Sequence, residues 1–377
     1  MRNGRYQKLD DGAAAYLALL RYALWGGAFP ALPEDLSAIQ ALAARQSTRG
    51  LIFDALLRGN VPLSREEAAR MQHFLLQGYA SNGQLDSIIQ RIFPALRQAG
   101  IPAVLIKGQG VGRNYPDPRL RENGDIDIYI GPKRVEDAVR TLTPFAESVD
   151  EEAFGKHWQL YIDGREIELH YTTVEIGTFR RRRLYDKLQA EGFGHGLVPV
   201  EIGSVQVDTP EATFNAFYLF YHLWHHFTGT GVGFRQICDW TLYLHARQAD
   251  IDRERLHRML KGMRLLVPWQ VLGCVVVHEL GLPEAEFPLY DEAAYARSRE
   301  LLALILEDGN FGKARKRRKR PAGYLAGKWS AFLYRTRRIR QLWHIYPREA
   351  LHTLWEVIRK GFLNISRDQI ARLSRKS

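Results

Sequence analysis

The stretch Gly124-Asp125-Ile126-Asp127-Ile128-Tyr129-Ile130 constrains this chain more than any other. Side chains alternate faces along a strand, so Asp125 and Asp127 point one way while Ile126, Ile128 and Ile130 point the other. The apolar set asks for burial. The two like charges then repel each other where desolvation also penalises them. A divalent cation turns that penalty into binding, because carboxylate oxygens are hard ligands suited to Mg²⁺. Taken alone, the pair also fits the polar face of an edge strand. With a cation it points to metal-assisted phosphoryl or nucleotidyl transfer.

The flanking sequence supplies further parts. Ile101-Pro102-Ala103-Val104-Leu105-Ile106 reads as a strand ending in Lys107-Gly108. A short helix is predicted from near Gly110 through Val111 to Tyr115, stopped by Pro116 and Pro118. Downstream, Trp158 to Ile162, the turn Asp163-Gly164, and Glu166 to His170 form a predicted hairpin. On its second strand Ile167 and Leu169 share one face; Glu166, Glu168 and His170 share the other. A two-metal site draws a third carboxylate from a neighbouring strand, and Glu168 with His170 beside it is the candidate. The same pattern also reads as a plain hairpin with a solvated face.

Lys107-Gly108, Tyr115-Pro116, Arg121, Gly124-Asp125-Ile126-Asp127 and Glu168-Leu169-His170 together resemble the pattern of the uncharacterised bacterial nucleotidyltransferase family. That family is a distant branch of the DNA polymerase β-like superfamily. The resemblance also reaches Ala216 to Asp239, where His222, His225 or His226, Arg235 and Asp239 fall on predicted helices. It covers roughly residues 85–245. It implies an α+β fold: a nucleotidyltransferase-type mixed β-sheet core between an N-terminal helical region and a C-terminal helical domain. It implies Mg²⁺ as cofactor, two ions with Mn²⁺ as a substitute, held by Asp125, Asp127 and Glu168. The implied reaction moves a nucleoside monophosphate from an NTP to an acceptor hydroxyl of a sugar, small molecule, protein or RNA end, releasing pyrophosphate.

Residue roles follow from the same resemblance. Gly108 sits in the phosphate-binding turn with Gln109 after it, and Lys107 or Arg121 neutralises phosphate charge. Arg235 faces phosphate or acceptor. His170, His222, His226 and Asp239 belong to the cleft. The superfamily turn is Gly-Ser or Gly-Gly, whereas this chain has Lys107-Gly108-Gln109. That departure motivates the alternative of a catalytically weak or inactive member acting as a nucleic-acid- or partner-binding module. His222 and His226 are spaced i, i+4, which can bind zinc, but no Cys or carboxylate follows at matching spacing. They are therefore expected in the cleft or the core. Arg235 and Asp239, one turn apart, also fit an ordinary helix-surface ion pair.

Helical periodicity and start signals predict three helices in residues 1–99: Ala13 to Trp25, one opened by Pro33-Glu34-Asp35, and one capped by Ser64 that runs to Gln98. An α/β core is expected over 100–208, with a second hairpin around Gly203-Ser204. A helical domain is expected over 209–377, begun by Thr209 as cap and Pro210 at the first helical position. The net charge of +11 concentrates in Arg180–Arg183 and in residues 313–320, where seven of eight residues are basic. Such runs suit anionic polymers, and they equally make solvated linkers. Tyr324, Trp329, Phe332 and Tyr334 follow the second run at the spacing of a helix burying aromatics. Two cysteines, Cys238 and Cys274, no leader pattern and no long apolar span point to a cytoplasmic chain.

Overall fold

The computed structural model describes residues 9–310, apart from 60, 152–156, 175, 177, 178 and 230, together with residues 340, 343 and 346. The basic run 313–320 and the aromatics Tyr324, Trp329, Phe332 and Tyr334 lie outside the described residues. Among the described residues, no helix is long and apolar enough to cross a membrane.

The first helices are α1 (Asp11–Trp25), α2 (Ser37–Gln46), α3 (Arg49–Arg58) and α4 (Arg65–Gln98). The pattern predicts three helices here. The additional break falls at Ser47, whose left-handed backbone (φ 54°) turns the chain between α2 and α3. α4 begins where the sequence places it, in a reciprocal capping box: the Ser64 hydroxyl accepts from the Glu67 N–H, and the Glu67 carboxylate accepts from the Ser64 N–H. Past its end, Gly100 adopts φ 64° and the Ile101 N–H donates to the Leu96 carbonyl at 2.9 Å, which directs the chain into the sheet.

Next come β1 (Val104–Ile106), α5 (Gly108–Gly112), β2 (Asp125–Tyr129), α6 (Val135–Leu142), β3 (Ser148–Glu151), β4 (His157–Ile162) and β5 (Arg165–His170). They are followed by α7 (Phe179–Gly194), opened by the exposed arginines 180, 182 and 183, then by β6 (Val198–Ile202) and β7 (Val205–Thr209). The strands form one mixed sheet in the order β3-β4-β5-β2-β1-β7-β6. The short helix starts two residues earlier than expected, directly at Gly108. The β4–β5 hairpin turns on Asp163 (φ 51°) and Gly164 (φ 68°), the paired positive φ values of a two-residue turn that matches strand twist. This turn sets Gln159 opposite Glu168 and His157 opposite His170. β5 in turn runs parallel to β2, with Asp125 opposite Glu166 and Asp127 opposite Glu168.

One face of the sheet is apolar. Ile126, Ile128, Ile167 and Leu169 are buried against Ile88 and Ile92 of α4 and Ala138 and Leu142 of α6. On the other side stand α8 (Ala212–Gly229) and α9 (Phe234–Arg247), whose Phe217, Phe220 and Trp240 share a large core with Tyr16 of α1. Beyond them follow α10 (Arg253–Met263), α11 (Leu266–His278) and α12 (Tyr295–Asp308). The start of α8 departs from the sequence reading. Thr209 ends β7, and its hydroxyl is committed to the Val198 carbonyl at 2.8 Å. Glu211 serves as cap instead, its carboxylate accepting from the N–H groups of Thr213 (3.0 Å) and Phe214 (2.9 Å). A carboxylate there satisfies two orphan donors and also complements the helix dipole, which a hydroxyl does less well.

Candidate active site

Asp125, Asp127, Glu168 and His170 line a cleft of about 450 Å³ whose other wall comes from α8 and α9. The strand period alone turns these side chains to one face, and the parallel β2–β5 register brings Asp127 level with Glu168. Lys107 Nζ lies 2.8 Å from Asp127 Oδ1. His170 Nε2 stands 2.9 Å from the same oxygen and 3.0 Å from Glu168 Oε2.

These contacts separate the two strand carboxylates. Burial opposes ionisation of Asp127, but the Lys107 ammonium and His170 outweigh it and hold the carboxyl well below its usual range. Asp125 is pushed upward, first by the charge of Asp127 and then by burial. Burial also works against the charge on Lys107, yet Asp127 and Asp125 leave its pKa raised. His170 is likewise raised, because its hydrogen bonds to Asp127 and Glu168 overcome burial. Three carboxylates on one face of two adjacent strands are hard donors that fit Mg²⁺. One of them, Asp127, already meets the Lys107 ammonium.

The turn that carries the ammonium is unusual. Lys107 adopts φ 59° and ψ −149°, a region otherwise kept almost wholly to glycine. Gly108 follows at φ 47°, and a Cβ added there would stand 3.5 Å from the Asp125 carbonyl oxygen. The backbone is thus bent sharply beside the carboxylates, with Lys107 aimed at Asp127.

The helical wall is built differently. Asp239 of α9 is gripped by Arg121 through two hydrogen bonds of 2.8 Å and accepts a third from the Tyr115 hydroxyl at 2.7 Å. Arg235 does not pair with Asp239; its Nη1 donates to the Glu122 carbonyl at 2.7 Å. Its buried Nε has no partner among the described residues. Burial, then the nearby Arg121, lower its pKa. His222 lines the cleft, and burial followed by the charge of Lys107 pushes its pKa well below the ordinary value, so it is neutral at pH 7. The rings of His222 and His226 lie 4.5 Å apart.

Of the candidates, Lys107, Gly108, Arg121, Asp125, Asp127, Glu168, His170, His222, His226, Arg235 and Asp239 all line the one cleft. Gln109 does not. It is buried against α4, where its amide donates to Asp86 and to the Asn82 carbonyl. His157 joins the site without having been singled out, its Nε2 3.6 Å from Glu168 Oε1. The two-residue turn at Asp163-Gly164 was the available signal, since it fixes His157 opposite His170.

The chain belongs to the family described as uncharacterised nucleotidyltransferase, whose model matches residues 33–280. No curated protein matches the sequence. Among solved structures, an antigenic nucleotidyltransferase-like protein from Paracoccidioides brasiliensis is similar over 56% of this chain and 96% of that one, with 13% identity and a TM-score of 0.35.

Proposed function

We propose that the cleft binds an NTP with Mg²⁺ and transfers the nucleoside monophosphate to an acceptor hydroxyl, releasing pyrophosphate. The observation that carries this reading is the row Asp125, Asp127 and Glu168, in register on β2 and β5 beside the Lys107–Gly108 turn. These three carboxylates would hold Mg²⁺, two ions with Mn²⁺ as a substitute. When bound, the metal supplies positive charge that acidifies the acceptor hydroxyl and offsets charge on the departing pyrophosphate.

The chain's own groups do the rest. Gly108 has no Cβ, so phosphate can approach the backbone of the turn. Lys107, now spent on Asp127, is placed to exchange that partner for a phosphate oxygen. Arg235 offers its buried Nε–H to phosphate or acceptor. Arg121 acts through Asp239: the pair fixes α9 and therefore the position of Arg235 one turn earlier. Glu168 lies at the edge of the row and takes up the acceptor proton. Neutral His222 adds a hydrogen-bonding group without adding charge.

The test supplies each α-labelled NTP with Mg²⁺ to the purified chain and a panel of sugars, small molecules, proteins and RNA. Label passes to one acceptor class in the wild type and not in an Asp127→Ala variant that still melts cooperatively. Transfer that survives in this variant rejects the assignment. Salt-sensitive RNA binding with no NTP affinity would instead favour a binding module.

A further inference from the structure

The β4–β5 hairpin assembles a second donor set inside the cleft. His157, Glu168 and His170 each offer one ligand atom, and these atoms all lie within 4.8 Å of one another. The set is sheltered, with side chains 11%, 18% and 6% exposed in that order. His170 Nε2 stands 3.0 Å from Glu168 Oε2 and 2.9 Å from Asp127 Oδ1, and His157 Nε2 lies 3.6 Å from Glu168 Oε1. The Nε2 of His170 is the ring nitrogen turned to Glu168, and its Nδ1 on the far side of the ring is buried.

The donor chemistry differs from that of the carboxylate row. Two imidazoles and one carboxylate favour borderline ions, whereas oxygen-only sets suit Mg²⁺. Three protein ligands also leave an open coordination position, as in catalytic rather than structural zinc sites. His222 stands on the opposite wall of the same cleft. The helix pair His222–His226 has the more familiar spacing for metal, yet the carboxylate that completes a ligand set comes from the hairpin.

We propose that His157, Glu168 and His170 bind a divalent transition-metal ion of the Zn²⁺ class. The site stands on these three side chains and does not depend on nucleotidyl transfer. Where that reading also holds, Glu168 belongs to both sets, and Zn²⁺ opposes Mg²⁺ binding by occupying it.

Co²⁺ is the probe, because its visible absorption reports nitrogen ligation. The full chain, free of nucleotide, is titrated with Co²⁺ and then challenged with Zn²⁺ or excess Mg²⁺. The expected result is one Co²⁺ per chain with visible d–d bands, displaced by Zn²⁺ and resistant to Mg²⁺. His157→Ala weakens Co²⁺ binding at least about tenfold, while Asp125→Asn leaves it unchanged. Should His157→Ala fail to fold by circular dichroism, His157→Gln keeps the size of the side chain and gives the same comparison. Equal Co²⁺ affinity in wild type and the His157 variant overturns the proposal. So does loss in Asp125→Asn, which would put the ion in the carboxylate row, or displacement by Mg²⁺ as readily as by Zn²⁺. Failure of NTP labelling alongside a His157-dependent Co²⁺ spectrum would reject the transferase reading and leave this site standing.

Discussion

On one face of β2 and β5, Ile126, Ile128, Ile167 and Leu169 pack beneath α4 and α6, each no more than 1% exposed. On the other face of the same strands, Asp125, Asp127, Glu168 and His170 line the cleft. The two faces cannot vary independently, because a slip of one residue would exchange them completely. Each buried apolar side chain contributes roughly 1.5–3 kcal/mol, and together they fix the register. That register holds carboxylates level that would otherwise repel. The apolar face therefore holds Asp125 beside Asp127, whose charge raises its pKa, while Lys107 and His170 favour the charged form of Asp127.

The largest expected effect separates the faces most sharply. Asp125→Asn removes a charge that Asp127 and burial disfavour, so differential scanning calorimetry should record a higher Tm. In the same variant NTP-dependent labelling should fall at least about a thousandfold, the scale of losing a central catalytic group. A lower Tm with labelling intact would break the comparison.

Next comes the anchor between sheet and wall. Asp239→Ala leaves the buried Arg121 guanidinium without its carboxylate and should cost about 3–5 kcal/mol in urea unfolding. The double variant Arg121→Met, Asp239→Leu should recover much of that loss, since neither charge is then stranded. On the apolar face, Leu169→Ala should cost about 2–5 kcal/mol while leaving Co²⁺ and NTP affinity of the folded fraction unchanged. A change in affinity as large as the change in stability would show that the two faces are not separable in this way.

The smallest effect is a pH limb. His222 titrates near 6.5 when unfolded and far lower when folded, owing to burial and then the charges of Lys107, His226 and His225, with Asp127 opposing them. The unfolded chain therefore binds the proton first. Its contribution to stability is complete above pH 6.5 and declines as pH falls below it, by at most about 1.4 kcal/mol per unit. His222→Phe should flatten this limb in urea midpoints measured from pH 7 downward. His170, raised on folding, acts with the opposite sign: its contribution is full below the unfolded value and is lost as pH rises through the folded one.

The floor of the cleft was legible because its determinants are local. A period of two sorts Asp125 and Asp127 from Ile126 and Ile128, and the Asp163-Gly164 turn fixes the hairpin, so the shared face of Glu168 and His170 was legible in the sequence. His157 obeys the same rule. It is found by counting back from the turn rather than by any motif. The helical wall was not legible to that depth. Spacing suggests Arg235 with Asp239, but the carboxylate is taken by Arg121, 118 positions away, and by Tyr115. Only the packing of α9 against the approach to β2 makes that pairing. Gln109 follows the glycine turn in sequence but rotates towards α4, because one step along α5 is enough to leave the cleft. The break at Ser47 and the Glu211 cap escaped for a related reason: each depends on backbone geometry that several residue types can supply.

The polar face of β2 and β5 is proposed as a Mg²⁺-dependent nucleotide site. Isothermal titration of NTP into the wild-type chain and into Asp125→Asn, each with Mg²⁺ and with EDTA, tests it most directly. Saturable binding that requires Mg²⁺ and disappears in Asp125→Asn is the predicted result. No NTP affinity in the wild type, or affinity indifferent to both Mg²⁺ and Asp125, would contradict it.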